Sequence, residues 1–241
     1  MDDLETDYAY PTRRWLRCNF VVSADGAASL DGSSEQLSGP PDKRVFGLLR
    51  ALCDAVVVGG GTARAEDYQP VRIGPRRAEI RSRHGLSACP PIIVVTRSLD
   101  LDLAKPLFTQ AQAPTIVVTS STVPPARLAA ARAVCDVIVH DGDVNLGLML
   151  EQLTDRGLGR LLCEGGPDLF GDLLRQGLVD ELCLTVSPTL VGSLTEHRLT
   201  GSRPLPRPLS ATLAGSRTDG NFLFLRYLVD RQCGPARSSS V

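Results

Sequence analysis

"RLLCEGGPDLFGDLLRQGLVDELCLTVSP" (160–188) holds a whole structural unit in one line. An apolar strand over 160–164 gives way at Gly165-Gly166 to an amphipathic helix, and a second apolar strand follows over 181–188. Strand, helix and strand in that order are the repeating unit of parallel α/β folds. A tight turn needs one glycine at most, so the second asks which neighbour the backbone must approach.

The same alternation runs outward from this stretch. "RCNFVVSA" (17–24) reads as a strand, and a helix begins at Pro40-Pro41 after Ser38 and Gly39, with Val45, Leu48, Leu49 and Leu52 at helical spacing. "DAVVVGG" (54–60) is a short apolar run of the kind buried on both faces. Further strands are expected over 91–98, 113–120 and 134–141, with helices near 125–133 and 145–156. "VRIGPRRAEIRSRHG" (71–85) reads as an irregular basic segment. "LSATLAGSRTDGNFLFLRYLVD" (209–230) turns at Asp219-Gly220 and predicts an antiparallel hairpin. The expectation is one α/β domain over 15–230, its mixed, mostly parallel sheet flanked by helices. Residues 1–14 and 231–241 read as a flexible N-terminal segment and a flexible tail.

Bulk composition narrows the function. Of 241 residues 43% are apolar and 22% charged, and the formal net charge is −1. That balance gives no electrostatic case for nucleic acid or an anionic membrane. No window nears the roughly 18 to 20 apolar residues of a spanning helix, and the acidic N-terminus is unlike a signal peptide, so a cytoplasmic location is expected. The seven cysteines are odd in number and none form C-x-x-C. They read as small buried hydrophobes in a reducing compartment, with no zinc site implied. The H-x-E and P-C-x-x-C pieces of a nucleobase deaminase are absent.

Two strand-to-helix turns are rich in glycine: "VVVGGGTARAED" (56–67) and "LLCEGGPDLFG" (161–171). A helix N-terminus presents unpaired N–H groups and the positive end of the helix dipole, and glycine lets an anion come close. Neither the G-x-G-x-x-G nor the G-x-x-x-x-G-K fingerprint is met. One such turn alone is more often structural; two in one domain favour a nucleotide. Glu164, a carboxylate at the end of an apolar strand beside such a turn, is costly unless paired or functional. It could also cap the following helix.

"VVSADG" (21–26), "LSGPPDKRVFGLLRALCDAVVVGGGTARAED" (37–67) and "LLCEGGPDLFGDLLRQGLVDELCLTVSPTLVG" (161–192) together resemble the pyrimidine reductases of riboflavin biosynthesis. In that family the module is often fused to a zinc deaminase, whose motifs this sequence lacks. The resemblance implies a dihydrofolate-reductase-like fold, a homodimer, NADPH as cofactor and a ribosylated pyrimidine phosphate as substrate. It implies that Gly165, Gly166, Pro167, Asp168, Leu169 and Phe170 wrap the cofactor pyrophosphate. Gly61 and Thr62 would serve its other side, and Val22 would line the nicotinamide region. Arg97 sits where an adenosine 2′-phosphate is expected, although a solvated arginine at a strand end is an equal reading. Ser34, Arg50 and Arg72 match substrate contacts; Arg50 reads equally as a surface residue, and Arg72 belongs to a basic run that is usually a solvated loop. Glu164, Glu66 and Asp67 are the acids available to the chemistry.

Three positions depart from the family pattern. Asn19 stands where a lysine precedes S-x-D-G by four residues, Gln36 replaces a tryptophan, and "A-D-D-P" reads Ala65-Glu66-Asp67-Tyr68. The changes cluster at the substrate side while the cofactor turns are kept. A divergent reductase of dihydrofolate or another heterocycle, and a non-catalytic NADPH-binding protein, therefore stand as alternatives.

Overall fold

The computed structural model describes residues 2–192 and 198–230. The tail 231–241, with Cys233, and also His197 lie outside the described residues. The elements in chain order are α1 (Asp2–Asp7), β1 (Trp15–Ser23), α2 (Pro40–Leu52), β2 (Ala55–Gly59), α3 (Gly60–Ala65), α4 (Pro75–Arg83), β3 (Ile92–Val95), α5 (Pro106–Thr109), β4 (Ile116–Ser120), α6 (Pro125–Arg132), β5 (Asp136–His140), α7 (Leu146–Asp155), β6 (Arg160–Cys163), α8 (Pro167–Arg175), β7 (Glu181–Ser187), β8 (Ala211–Asp219) and β9 (Phe222–Val229).

The strands form one sheet in the order β5-β4-β3-β2-β6-β1-β7-β9-β8. Pairing is parallel from β5 to β7, and the terminal hairpin adds the antiparallel pairs β7–β9 and β9–β8. This is the mixed, dihydrofolate-reductase-like sheet that the sequence implied. Strand alternation splits the core in two. Val56, Val58 and Leu162 face α2, where Val45, Leu48, Leu49 and Leu52 meet them. Val57, Leu161 and Cys163 face α7 and α8, against Met149, Leu153, Phe170 and Leu173. Each fully buried leucine contributes roughly 1.5–3 kcal/mol. No helix among the described residues is long and apolar enough to cross a membrane.

Two expectations change. The N-terminal segment, read as flexible, is tied to the domain. Tyr8 is buried in the core and its carbonyl accepts from the Arg17 guanidinium at 2.8 Å. The basic stretch 71–85, read as irregular, contains α4: Gly74 precedes Pro75 at the first turn, and Ile80 and Arg81 are buried. Arg81 is no solvated charge, for its guanidinium donates to the carbonyls of Arg50 (3.2 Å), Ala51 (3.3 Å) and Cys53 (2.7 Å) at the end of α2. Within the hairpin, the strongly apolar strand over 223–229 is internal, since β9 lies between β7 and β8. The sheet edge on this side is β8, which is exposed along nearly its whole length.

Candidate active site

The two glycine-rich turns interlock. β2 and β6 are neighbours, so their carboxyl ends deliver α3 and α8 side by side. The Glu164 amide donates to the Val57 carbonyl (3.0 Å) and the Gly59 amide to the Gly165 carbonyl (2.8 Å). Gly165 has φ +96°, a conformation that side chains disfavour, and sits under the Phe20 ring. Gly166 meets a different need: a Cβ there would collide with the Thr62 hydroxyl. One glycine serves the backbone angle and the other serves the neighbouring turn. Neither Gly59 nor Gly166 offers a side chain to cap its helix, so the first-turn amides of α3 and α8 are left for a ligand.

Between these turns and the end of β3 opens a cleft of about 640 Å³. Of the residues expected at the cofactor, Gly61, Thr62, Arg97, Gly166, Pro167, Asp168 and Leu169 line it. Val22, Gly165 and Phe170 do not. Val22 is buried in β1 opposite Val186 of β7, and the Phe170 ring packs on Phe20 with centroids 4.8 Å apart. Arg97 is exposed at the rim, its Nε 3.0 Å from Asp143 and its Nη2 3.5 Å from Asp172. Asp172 is also held by Arg175 at 2.7 Å and by Arg203. Sequence reading missed Asp143, Asp172 and Arg203, which reach Arg97 only through tertiary contacts.

A second cluster, outside the residues that line this cleft, lies at the end of β6. Glu164 is almost fully buried, and its carboxylate is gripped in a fork by Arg50, Nε to Oε1 at 2.7 Å and Nη2 to Oε2 at 2.6 Å. The Tyr68 hydroxyl donates to Oε2 and accepts from Arg50 Nη2 at 2.9 Å. The Arg50 guanidinium also lies over the Phe46 ring, 4.3 Å from its centroid. Burial alone would favour discharging Arg50, but the carboxylate beside it holds the guanidinium charged, its pKa above the ordinary arginine value. The structure thus corrects two readings: Arg50 is no surface residue, and Glu164 turns toward α2 instead of capping α8. Strand register carries Asn19 into the same neighbourhood. Cys18 pairs with Cys163, so Asn19 follows on the face that Glu164 shares.

The other substrate and acid candidates spread out. Glu66 lines the cleft and accepts from the Ser34 hydroxyl at 3.1 Å, so these two are brought together. Asp67 is exposed and bound to Lys105 at 2.8 Å, away from Glu164's cluster. Arg72 and Gln36 are exposed. The aspartate of the S-x-D-G motif has a structural task. Asp25 accepts from the Ser23 hydroxyl and from the amides of Val191 (3.1 Å) and Gly192 (2.7 Å), tying β1 to the loop after β7.

The family described as RibD C-terminal domain matches residues 14–225. The chain belongs to that family. A 2,5-diamino-6-ribosylamino-4(3H)-pyrimidinone 5′-phosphate reductase of Methanothermobacter thermautotrophicus is 31% identical over 224 residues, covering 90% of this chain and 99% of that protein. The reductase of the same name from Archaeoglobus fulgidus is 32% identical over 183 residues, 75% of this chain and 83% of its own. Among solved structures, a pyrimidine reductase-like protein of Corynebacterium diphtheriae superimposes with a TM-score of 0.81 at 28% identity, over 90% of this chain and 92% of that one.

Proposed function

We propose that this chain is an NADPH-dependent reductase of a ribosylamino-pyrimidine 5′-phosphate, forming the ribitylamino product in riboflavin biosynthesis. The observation that carries this reading is the position of Glu164. Its backbone opens the glycine turn at the cleft, while its carboxylate is fixed by Arg50 and Tyr68 on the substrate side.

The residues present fit the cofactor. Two helix N-termini without side-chain caps flank a cleft of about 640 Å³, a size suited to a dinucleotide half-buried along a groove. Gly61 and Thr62 on one turn and Gly166, Pro167 and Asp168 on the other would hold its pyrophosphate. Arg97 and Arg203 are the cations at the rim for a 2′-phosphate. Bound there, the nicotinamide supplies a hydride. That hydride would reduce the C=N carbon of the opened ribosylamine, and the protein's part would be to orient that bond and let a proton reach the nitrogen. Glu164 would accept a hydrogen bond from the pyrimidine edge and set the ring's orientation, which is where most of the protein's catalytic contribution lies. Glu66 with Ser34 lies on the cleft wall and is the acid best placed to exchange a proton with solvent. By the same reading the enzyme works as a homodimer in the cytoplasm.

The test is NADPH oxidation with freshly generated 5-amino-6-ribosylamino-uracil 5′-phosphate and with its 2,5-diamino-pyrimidinone counterpart. Turnover with either, abolished in Glu164→Gln, is the expected result. Absence of turnover with both, while NADPH still raises the unfolding temperature, would point to dihydrofolate or another heterocycle. No thermal effect of NADPH would overturn the cofactor assignment itself.

A further inference from the structure

Resting on that reading, we propose that Tyr68 is the residue that positions Glu164 for substrate, and so sets which ring edge that carboxylate accepts. The argument begins with lone pairs. A carboxylate oxygen takes two in-plane donors. Oε2 of Glu164 already has two, Arg50 Nη2 and the Tyr68 hydroxyl, whereas Oε1 has among the described residues only Arg50 Nε. The cluster therefore presents one open acceptor, on a known oxygen, at a carboxylate whose torsion is fixed from two directions. A ring N–H is the group that fits it.

Arg50 alone would leave this underdetermined. A planar guanidinium against a planar carboxylate fixes their common plane but leaves one outer lone pair on each oxygen. The Tyr68 hydroxyl fills the outer site on Oε2 and removes that choice. It has no freedom to do otherwise: Tyr68 is buried, and Arg50 Nη2 donates to its oxygen at 2.9 Å, which directs its proton toward the carboxylate. Tyr68 also belongs to the segment that carries the cofactor turn. Its amide bonds the Ala63 carbonyl at 3.3 Å, one residue after Thr62.

The place of Tyr68 in the sequence supports the assignment. It stands at one of the three departures from the reductase pattern, and strand register puts a second, Asn19, beside Glu164. Two of three changes thus fall around one carboxylate.

The experiment is steady-state kinetics of wild type and Tyr68→Phe, with thermal unfolding and NADPH affinity measured on both. Phe keeps the ring and its burial and deletes only the hydroxyl. The expected result is a KM for the pyrimidine raised about ten-fold or more, in line with loss of a hydrogen bond to a charged group. The kcat and the NADPH affinity should change little, and the unfolding temperature should fall modestly, because an Arg50 N–H loses its acceptor. An unchanged KM overturns the assignment. A fall in kcat at constant KM also overturns it, because the hydroxyl would then serve proton transfer. If wild type turns over neither pyrimidine, the proposed function has failed by itself. The two proteins are then compared by calorimetry with folate and with 5-amino-6-ribitylaminouracil. Weaker binding by the variant supports the role of Tyr68; equal binding, or none by either protein, overturns it.

Discussion

Asp25 and Glu164 are both acids at strand ends, and they are used in opposite ways. Asp25 is fully exposed, yet the Ser23 hydroxyl and the amides of Gly192 and Val191 pull its pKa down from 3.8 to about 2. A depressed carboxylate adds stability above its unfolded pKa and loses it as pH falls through the folded value. The unfolding-temperature gap between wild type and Asp25→Asn should therefore be constant above about pH 5, narrow below about pH 4 and close near pH 2. Thermal unfolding across that range measures it, and a pH-independent gap would assign the loop brace to something other than the charge. Glu164 was legible in the sequence as a costly charge beside a glycine turn. Its partners were not, because Arg50 lies 114 residues away and Tyr68 lies 96 away, and no local spacing encodes such pairs. Asp67 misled for the converse reason. It stands next to Tyr68 in the chain, but its φ of 43° turns that residue outward, where Lys105 takes it.

At the scale of elements, periodicity located every strand and the longer helices α2, α6, α7 and α8, because apolar spacing is a local property, but it gave no sign of the short α1 and α5. It failed at α4, where arginines outnumber apolar residues and only Ile80 marks the buried face. Arg81 folds inward because of the end of α2: its last carbonyls need donors, and Nη1 of Arg81 supplies them while Nε and Nη2 bond Ser87. The interlocked turns make a sharper prediction. Gly166→Ala places a methyl group against the Thr62 hydroxyl, so one turn must retreat. Overpacking of this kind costs about 1–3 kcal/mol. We expect a lower unfolding temperature and a smaller NADPH-induced shift for Gly166→Ala, with the unfolding temperature recovered in the double variant Gly166→Ala/Thr62→Ala. Additive losses in the double variant would show that the two turns do not press on each other.

Across the whole molecule, the sheet separates chemistry from anchorage. The cleft and Glu164 lie at the carboxyl ends of the strands. Near the other end, Arg17 and Glu181 form a buried ion pair at 2.8 Å with exposures of 0% and 1%. Trp15 Nε1 (2.8 Å) and Arg226 Nε (2.7 Å) complete the coordination of Glu181. Burial pushes the Glu181 pKa up, but Arg17 and Arg226 outweigh it and hold the carboxyl below its ordinary value. Removing one member strands a buried charge, at about 3–5 kcal/mol. Glu181→Ala should thus lower the unfolding free energy by that amount in urea titration, while the kcat per folded molecule stays near wild type. A loss of kcat in fully folded protein would mean that the two ends are coupled.

The strand order has a further consequence, in time. β1 is made first, yet its two sheet neighbours are β6 and β7, which begin at Arg160 and Glu181. As the chain leaves the ribosome, β1 waits with both backbone edges unpaired while β2 to β5 can already lie side by side. The central strand is inserted last, between partners that arrive more than a hundred residues after it. Such late, long-range closure is slow, and it exposes the growing chain to mispairing. Because Glu164 stands at the end of β6, the nascent protein can hold neither cofactor nor substrate until that insertion is complete.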